Sequence, residues 1–196
     1  MDNCLIIERL KEAGMCFGPG LSAAEIKKIE EFFGFRFPKE IADFFSCAYP
    51  LGGGFFDYRD TSQRNKDRFL DFQKDITETF LFDIEHNTDS VRAMLHEYLG
   101  DIQDINEFTK AVVRSIESSP KLIPFYSHRC FFDGLDGMPI ISFWQAVDTI
   151  IYGYDLENYL EAEFLGIPRD NVVTDGFYDL IDEKLKTAGI WYYTIG

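Results

Sequence analysis

The periodicity of the apolar residues changes at Pro120, and that change constrains the fold more than any other feature of the chain. Upstream, apolar side chains recur at intervals of three and four. Downstream they gather in short β-branched and aromatic runs, "KLIPFYSHRCFF", "MPIISFW" and "DTIIYGY", divided by Asp-Gly pairs. Such runs predict antiparallel strands, and Asp133-Gly134-Leu135-Asp136-Gly137 predicts the turn between two of them, glycine supplying positive φ. Helices before strands before helices, without strict βαβ alternation, predict an α+β domain: a mostly antiparallel central sheet flanked by N-terminal and C-terminal helices. A length of 196 residues, 46% hydrophobic and without repeat or linker, fits one domain spanning 1–196.

The helices can be placed from their caps. Ser22-Ala23-Ala24-Glu25 is a capping box, Ile26, Ile29, Phe32 and Phe33 follow at helical spacing, and Gly34 suits a left-handed stop, predicting a helix over 22–33. Pro38 suits the first position of a second helix, with Ile41, Phe44, Phe45 and Ala48 on one face before Pro50 and Gly52-Gly53-Gly54 end it. Phe69, Phe72, Ile76 and Phe80 predict a third over 66–79, followed by a short strand in "FLFDIEHN". Further helices are expected over 89–99, over 104–117 with Ile105, Phe108, Val112 and Ile116 buried, after Asp155 with Glu157 and Glu161 facing out, and near 176–186. The closing "GIWYYTIG" reads as a terminal strand.

Charge restricts the partners. Nineteen Lys plus Arg against 34 Asp plus Glu give a net charge of −15, which opposes binding to nucleic acid or to an anionic membrane and suits a basic partner. The acidic excess of the C-terminal third, Glu157, Glu161, Glu163, Asp170, Asp175, Asp179, Asp182 and Glu183, reads as solvated helix faces that still contribute a field. No apolar run approaches the ~20 residues that span a bilayer, and Asp2, Glu8 and Arg9 do not make a signal peptide, so a cytoplasmic protein is expected. Cys4, Cys16, Cys47 and Cys130 form no C-x-x-C pair and read as reduced, mostly buried thiols.

Motifs for catalysis are sparse. His86 and His96 read as surface residues, whereas His128-Arg129 falls between two aromatic strands, where a polar side chain needs a partner or a functional face. A hydrolase would need His128 beside Asp148 or Asp57 and a nucleophile such as Ser127, Ser142 or Cys130, and no spacing recommends that arrangement. Asp133 and Asp136 sit in a loop too short for calcium, so neither a metal nor a cofactor is called for.

Several stretches resemble the SUKH superfamily, named after the yeast Smi and Knr cell-wall regulators and also found among bacterial immunity proteins. "GLSAAEIKKIEEFFGFRFPKEIADFFSCAYPLGGG" resembles its opening, with Gly34, Phe37, Pro38, Ile41, Phe44, Phe45, Gly52 and Gly53 at matching positions. "FFDYRD" resembles the "FPDWRD" of one bacterial branch. "LIPFYSHRCFF", "GMPIISFWQAVDTIIYGYDLENYLEAEF" and "GIWYYTI" resemble later segments of that branch, departing at Cys130-Phe131-Phe132 and at an additional alanine, Ala146. The resemblance implies an α+β domain with a protein-binding role, since bacterial relatives often neutralise polymorphic toxins, many of them nucleases.

Residues and resemblance together predict a non-enzymatic module that binds a basic toxin by presenting carboxylates where phosphates would lie. The candidate contacts are Asp57, Tyr58, Arg59, Asp60, His128, Tyr152, Tyr154 and Asp155, with the tyrosines as anchors. Two readings of Arg59 stay open: a partner contact, or a loop clamp paired with Asp57 or Asp60. A regulatory scaffold or small-ligand sensor of the Smi/Knr type is the alternative function.

Overall fold

The structure, a computed structural model, describes residues 2–169 and 177–195. It opens with a helix the sequence reading did not anticipate, α1 (Asn3–Glu12), capped by Asp2 and burying Ile6, Ile7 and Leu10 on one stripe. A short strand β1 (Cys16–Pro19) leads to α2 (Ala23–Phe33), where Ser22 and Glu25 form the expected capping box and Gly34 the left-handed stop. Pro38 is the N-cap of α3 (Lys39–Cys47) and not its first residue. Ala48 then opens a second unanticipated strand, β2 (Ala48–Leu51), paired antiparallel with β1. Gly20 lets the chain leaving β1 pass close to the end of α3, since a Cβ there would lie 1.8 Å from the Ser46 carbonyl oxygen.

The third predicted helix runs longer than expected, as α4 (Gln63–His86), so the strand expected in "FLFDIEHN" is its C-terminal part. Phe80 and Ile84 continue the stripe of Phe69 and Ile76, and packing of that stripe overrides the β-like texture of the segment. Next come α5 (Thr88–Leu99) and α6 (Ile105–Ser118), the latter capped by Asp104 and burying Phe108 and Val112 while Ile105 stays exposed. Four strands follow, β3 (Leu122–Tyr126), β4 (Arg129–Phe132), β5 (Ile140–Gln145) and β6 (Asp148–Gly153). Each pairs antiparallel with the next, giving the order β3-β4-β5-β6. The chain continues through α7 (Leu156–Leu165), α8 (Phe177–Leu185) and a 3-10 turn (Lys186–Ala188) to α9 (Ile190–Thr194). Where a terminal strand was expected, α9 buries Ile190, Trp191 and Thr194 on one helical face, and β pairing shrinks to a single parallel bridge between Thr149 and Ile195.

The fold is α+β with helices on both faces of the sheet. Alternation along the strands sends Ile123, Phe125, Phe131 and Ile140 into a core with α1, α2, α3 and α7. Leu122, Cys130, Phe132 and Ile141 face a second core with α5, α6, α8 and α9. Helix α4 serves both, through Phe69 in the first and Ile76, Phe80 and Ile84 in the second.

The Asp-Gly turn between β4 and β5 carries more than a change of direction. Asp133 accepts from the Arg36 N–H at 2.8 Å, Asp136 accepts from Lys39 N–H at 2.7 Å, and Gly137 N–H donates to Glu40 at 2.7 Å. The turn thereby caps the start of α3, which lacks a side-chain cap of its own. Three of the four cysteines expected inside, Cys4, Cys16 and Cys47, are exposed, and only Cys130 is buried. Among the described residues no helix is long and apolar enough to cross a membrane.

Candidate functional site

The predicted contacts fall in two places. Asp57-Tyr58-Arg59-Asp60 follows the glycine turn, which needs Gly54: its φ is +114°, and a Cβ there would lie 2.4 Å from the ring of Tyr126. Tyr58 does not belong to a contact surface, because it is 0% exposed. Its ring meets Phe33 and Phe37 edge-on, with centroids 5.6 and 5.2 Å away, and its hydroxyl donates to the Pro124 carbonyl at 2.5 Å. The aromatic run around it makes an apolar slot for the ring, which is why an aromatic residue beside charged neighbours turned inward.

Arg59 is a clamp, with partners other than the aspartates expected. It donates to the carbonyls of Pro19 (2.8 Å) and Gly20 (3.1 Å), lies 4.7 Å from the Tyr49 ring centroid and reaches Glu25 at 3.7 Å. Hydrogen bonds from Ser22, and to a lesser extent Arg59, hold the Glu25 carboxyl below its ordinary value. Asp57 accepts from the Arg59 N–H at 3.1 Å and from the Tyr49 hydroxyl at 3.4 Å. Asp60 accepts from the Ser62 N–H at 2.9 Å, just before α4, and hydrogen bonding from Ser62 keeps its carboxyl below the usual range. The tetrad fastens β1, α2, β2 and α4 together while Asp57 and Asp60 remain at the surface.

The second cluster centres on Arg129. Its guanidinium lies 3.5 Å from the Tyr152 ring centroid and reaches Glu163 of α7 at 3.4 Å, with side chains only 9% and 18% exposed. His128 sits beside it, its Nε2 facing the Arg129 guanidinium and its Nδ1 3.3 Å from the Ser127 hydroxyl. Guanidinium nitrogens only donate, so a hydrogen bond between the two side chains uses Nε2 as its acceptor. Burial, and then the Arg129 charge, push His128 below its ordinary value. Burial pushes the Cys130 thiol up, away from nucleophilic form. Among the described residues no group of three His, Cys, Asp or Glu could hold a metal ion.

Comparison with known proteins adds nothing to this geometry. No family model, curated protein or solved structure gives a significant match.

Tyr154 and Asp155 do not join Tyr152 and His128 in one patch. Tyr152 packs against the first core and Tyr154 against the second, so the two intended anchors lie on opposite sides of the sheet. Asp155 caps α7, accepting from Asn158 N–H at 2.8 Å. What the structure does place beside His128 is Trp144, 66% exposed, with ring centroids 5.5 Å apart. The sequence reading missed Trp144 because "MPIISFW" reads as uniform core. Alternation along β5 was the available signal, since burial of Ile141 and Phe143 leaves Trp144 on the other face.

The acidic residues of α7 also depart from expectation. Glu161 pairs with Arg9 of α1 at 2.5 Å, its side chain 19% exposed, and Glu163 pairs with Arg129, so both face inward as ion-pair partners. Asp182 and Glu183 do lie outside, pairing with Lys186. Asp170 and Asp175 lie outside the described residues.

Proposed function

We propose that this protein is a non-enzymatic, SUKH-type immunity protein that works in the cytoplasm by binding and neutralising a basic toxin, such as a nuclease. The observation that carries the reading is the charge of −15 on a chain whose exposed surface includes large rings, above all Trp144. Long-range attraction between an acidic protein and a cationic partner raises the association rate and weakens with salt, while aromatic anchors hold the complex once formed. A rigid base supports such a surface: Arg129 is fixed by Tyr152 and Glu163, and the 57–60 segment by Tyr58 and Arg59.

The test is co-expression with the product of the neighbouring gene, followed by capture at low and at physiological salt. Retention of a cationic protein, loosening as salt rises, together with relief of its toxicity supports the reading. Capture of no such protein turns the assignment towards a regulatory scaffold or small-ligand sensor. Hydrolytic turnover lost in His128→Ala would replace both.

A further inference from the structure

Two open cavities run along α4 and share Asp75. One, of about 350 Å³, lies between Arg68, Asp71, Phe72 and Asp75 of the helix and the Phe55 to Phe56 and Pro124 to Ser127 segments. The other, of about 530 Å³, continues along Glu78, Thr79 and Phe82 to Trp144 and Gln145. Together they form a groove walled by α4 from residue 68 to residue 82, about 21 Å at 1.5 Å per residue.

Its walls combine two features. Phe82 is 51% exposed and Trp144 faces the same cavity, so two large rings stand open to water on opposite walls. Asp71 and Asp75, also exposed, have no ion-pair partner among the described residues, whereas the next carboxylate, Glu78, is matched by Lys74 at 2.8 Å. One helical turn separates Asp71 from Asp75, a rise of about 6 Å, close to the ~6.7 Å between alternate residues of an extended chain. Two cations on alternate positions of a bound strand would each meet a carboxylate.

We propose that this groove is the docking site for a lysine- or arginine-bearing segment of a partner protein, which places its cations on Asp71 and Asp75 and an apolar side chain between Phe82 and Trp144. The inference extends the binding function by naming the surface and the chemistry it takes, and it does not require the partner to be a toxin.

Trp144 reports on its own groove, because the other tryptophan, Trp191, is buried. Titration with a peptide of alternating lysine and leucine should shift the emission to the blue, and the glutamate-leucine counterpart should not. In Trp144→Phe the shift should vanish and affinity by anisotropy should fall. Asp71→Asn with Asp75→Asn should weaken binding by about tenfold, and Glu12→Gln with Glu117→Gln, removing the same charge from exposed sites on α1 and α6, by less than about twofold. Equal weakening by the two pairs, or unchanged affinity in Trp144→Phe, would overturn the groove in favour of diffuse attraction. A cationic partner captured equally by wild type and the Asp71/Asp75 variant removes the groove and leaves the proposed function. Peptide binding in the groove with no cationic partner found does the reverse.

Discussion

The carboxylate of Asp83, fully buried in α4, accepts a hydrogen bond from the backbone N–H of Ala146 at 2.9 Å. A second reaches it from Val147 at 3.4 Å, and Asn87 Nδ2 donates to its other oxygen at 3.1 Å. The contact ties α4 to the turn between β5 and β6. Ala146 is itself buried at the point where its N–H meets the helix.

Asp83→Ala should therefore cost about 2–3 kcal/mol, because the Ala146 N–H is left buried without an acceptor. Urea unfolding measures the loss, and amide exchange at Ala146 and Val147 should accelerate more than exchange in β3. A variant as stable as wild type would mean that water replaces the carboxylate.

Tyr58→Phe should lower stability by about 1–2 kcal/mol, removing the hydroxyl that satisfies the Pro124 carbonyl while keeping the ring. Tyr58→Ala should cost about 3–5 kcal/mol, since it empties a slot lined by phenylalanines. Neither should change partner affinity in protein that remains folded. A large affinity loss in Tyr58→Phe at unchanged stability would return this residue to the contact surface.

The pair Arg129 and Glu163 calls for a double-mutant cycle. Glu163→Gln should cost about 3 kcal/mol, because the guanidinium stays buried with its carboxylate gone, and Arg129→Met should cost a similar amount. The double variant should be less destabilised than the sum of the two. Simple additivity would show that Tyr152 and His128 hold the arginine without the carboxylate.

His128 sets a pH dependence. Its folded-state value lies below the ordinary 6.5, so below about pH 6.5 the unfolded chain binds more protons than the folded one. Its stabilising contribution is present above that value and is lost as pH falls through 6.5 towards the folded-state value. Urea midpoints of wild type should drop more between neutral and mildly acidic pH than those of His128→Gln. Equal drops in the two proteins would remove His128 as the source.

Local signals in the sequence sufficed where one short segment decided the outcome. Ser22 and Asp155 cap helices as their neighbours predict, because capping is settled within four residues. The strands of the sheet were legible from β-branched runs between turns. Failures came where distant segments compete: "FLFDIEHN" and "GIWYYTIG" have strand-like composition, but Ile84 and Trp191 find burial only as helix, against the second core. The candidate site was less legible than the fold. Whether Tyr58 or Trp144 meets water depends on which face of a strand or loop is already covered.

By itself the sequence determined the α+β class, the antiparallel character of the strands after Pro120 and a net charge that favours cationic partners. Those follow from periodicity, turn chemistry and a sum of charges, none of which requires knowing what lies across the core. Only the tertiary structure decided that Tyr58 is a buried strut, that Arg129 and Glu163 neutralise one another, and that Asp71, Asp75, Phe82 and Trp144 line one groove. Those relations join residues far apart in the chain, and packing of the two cores against the sheet creates them.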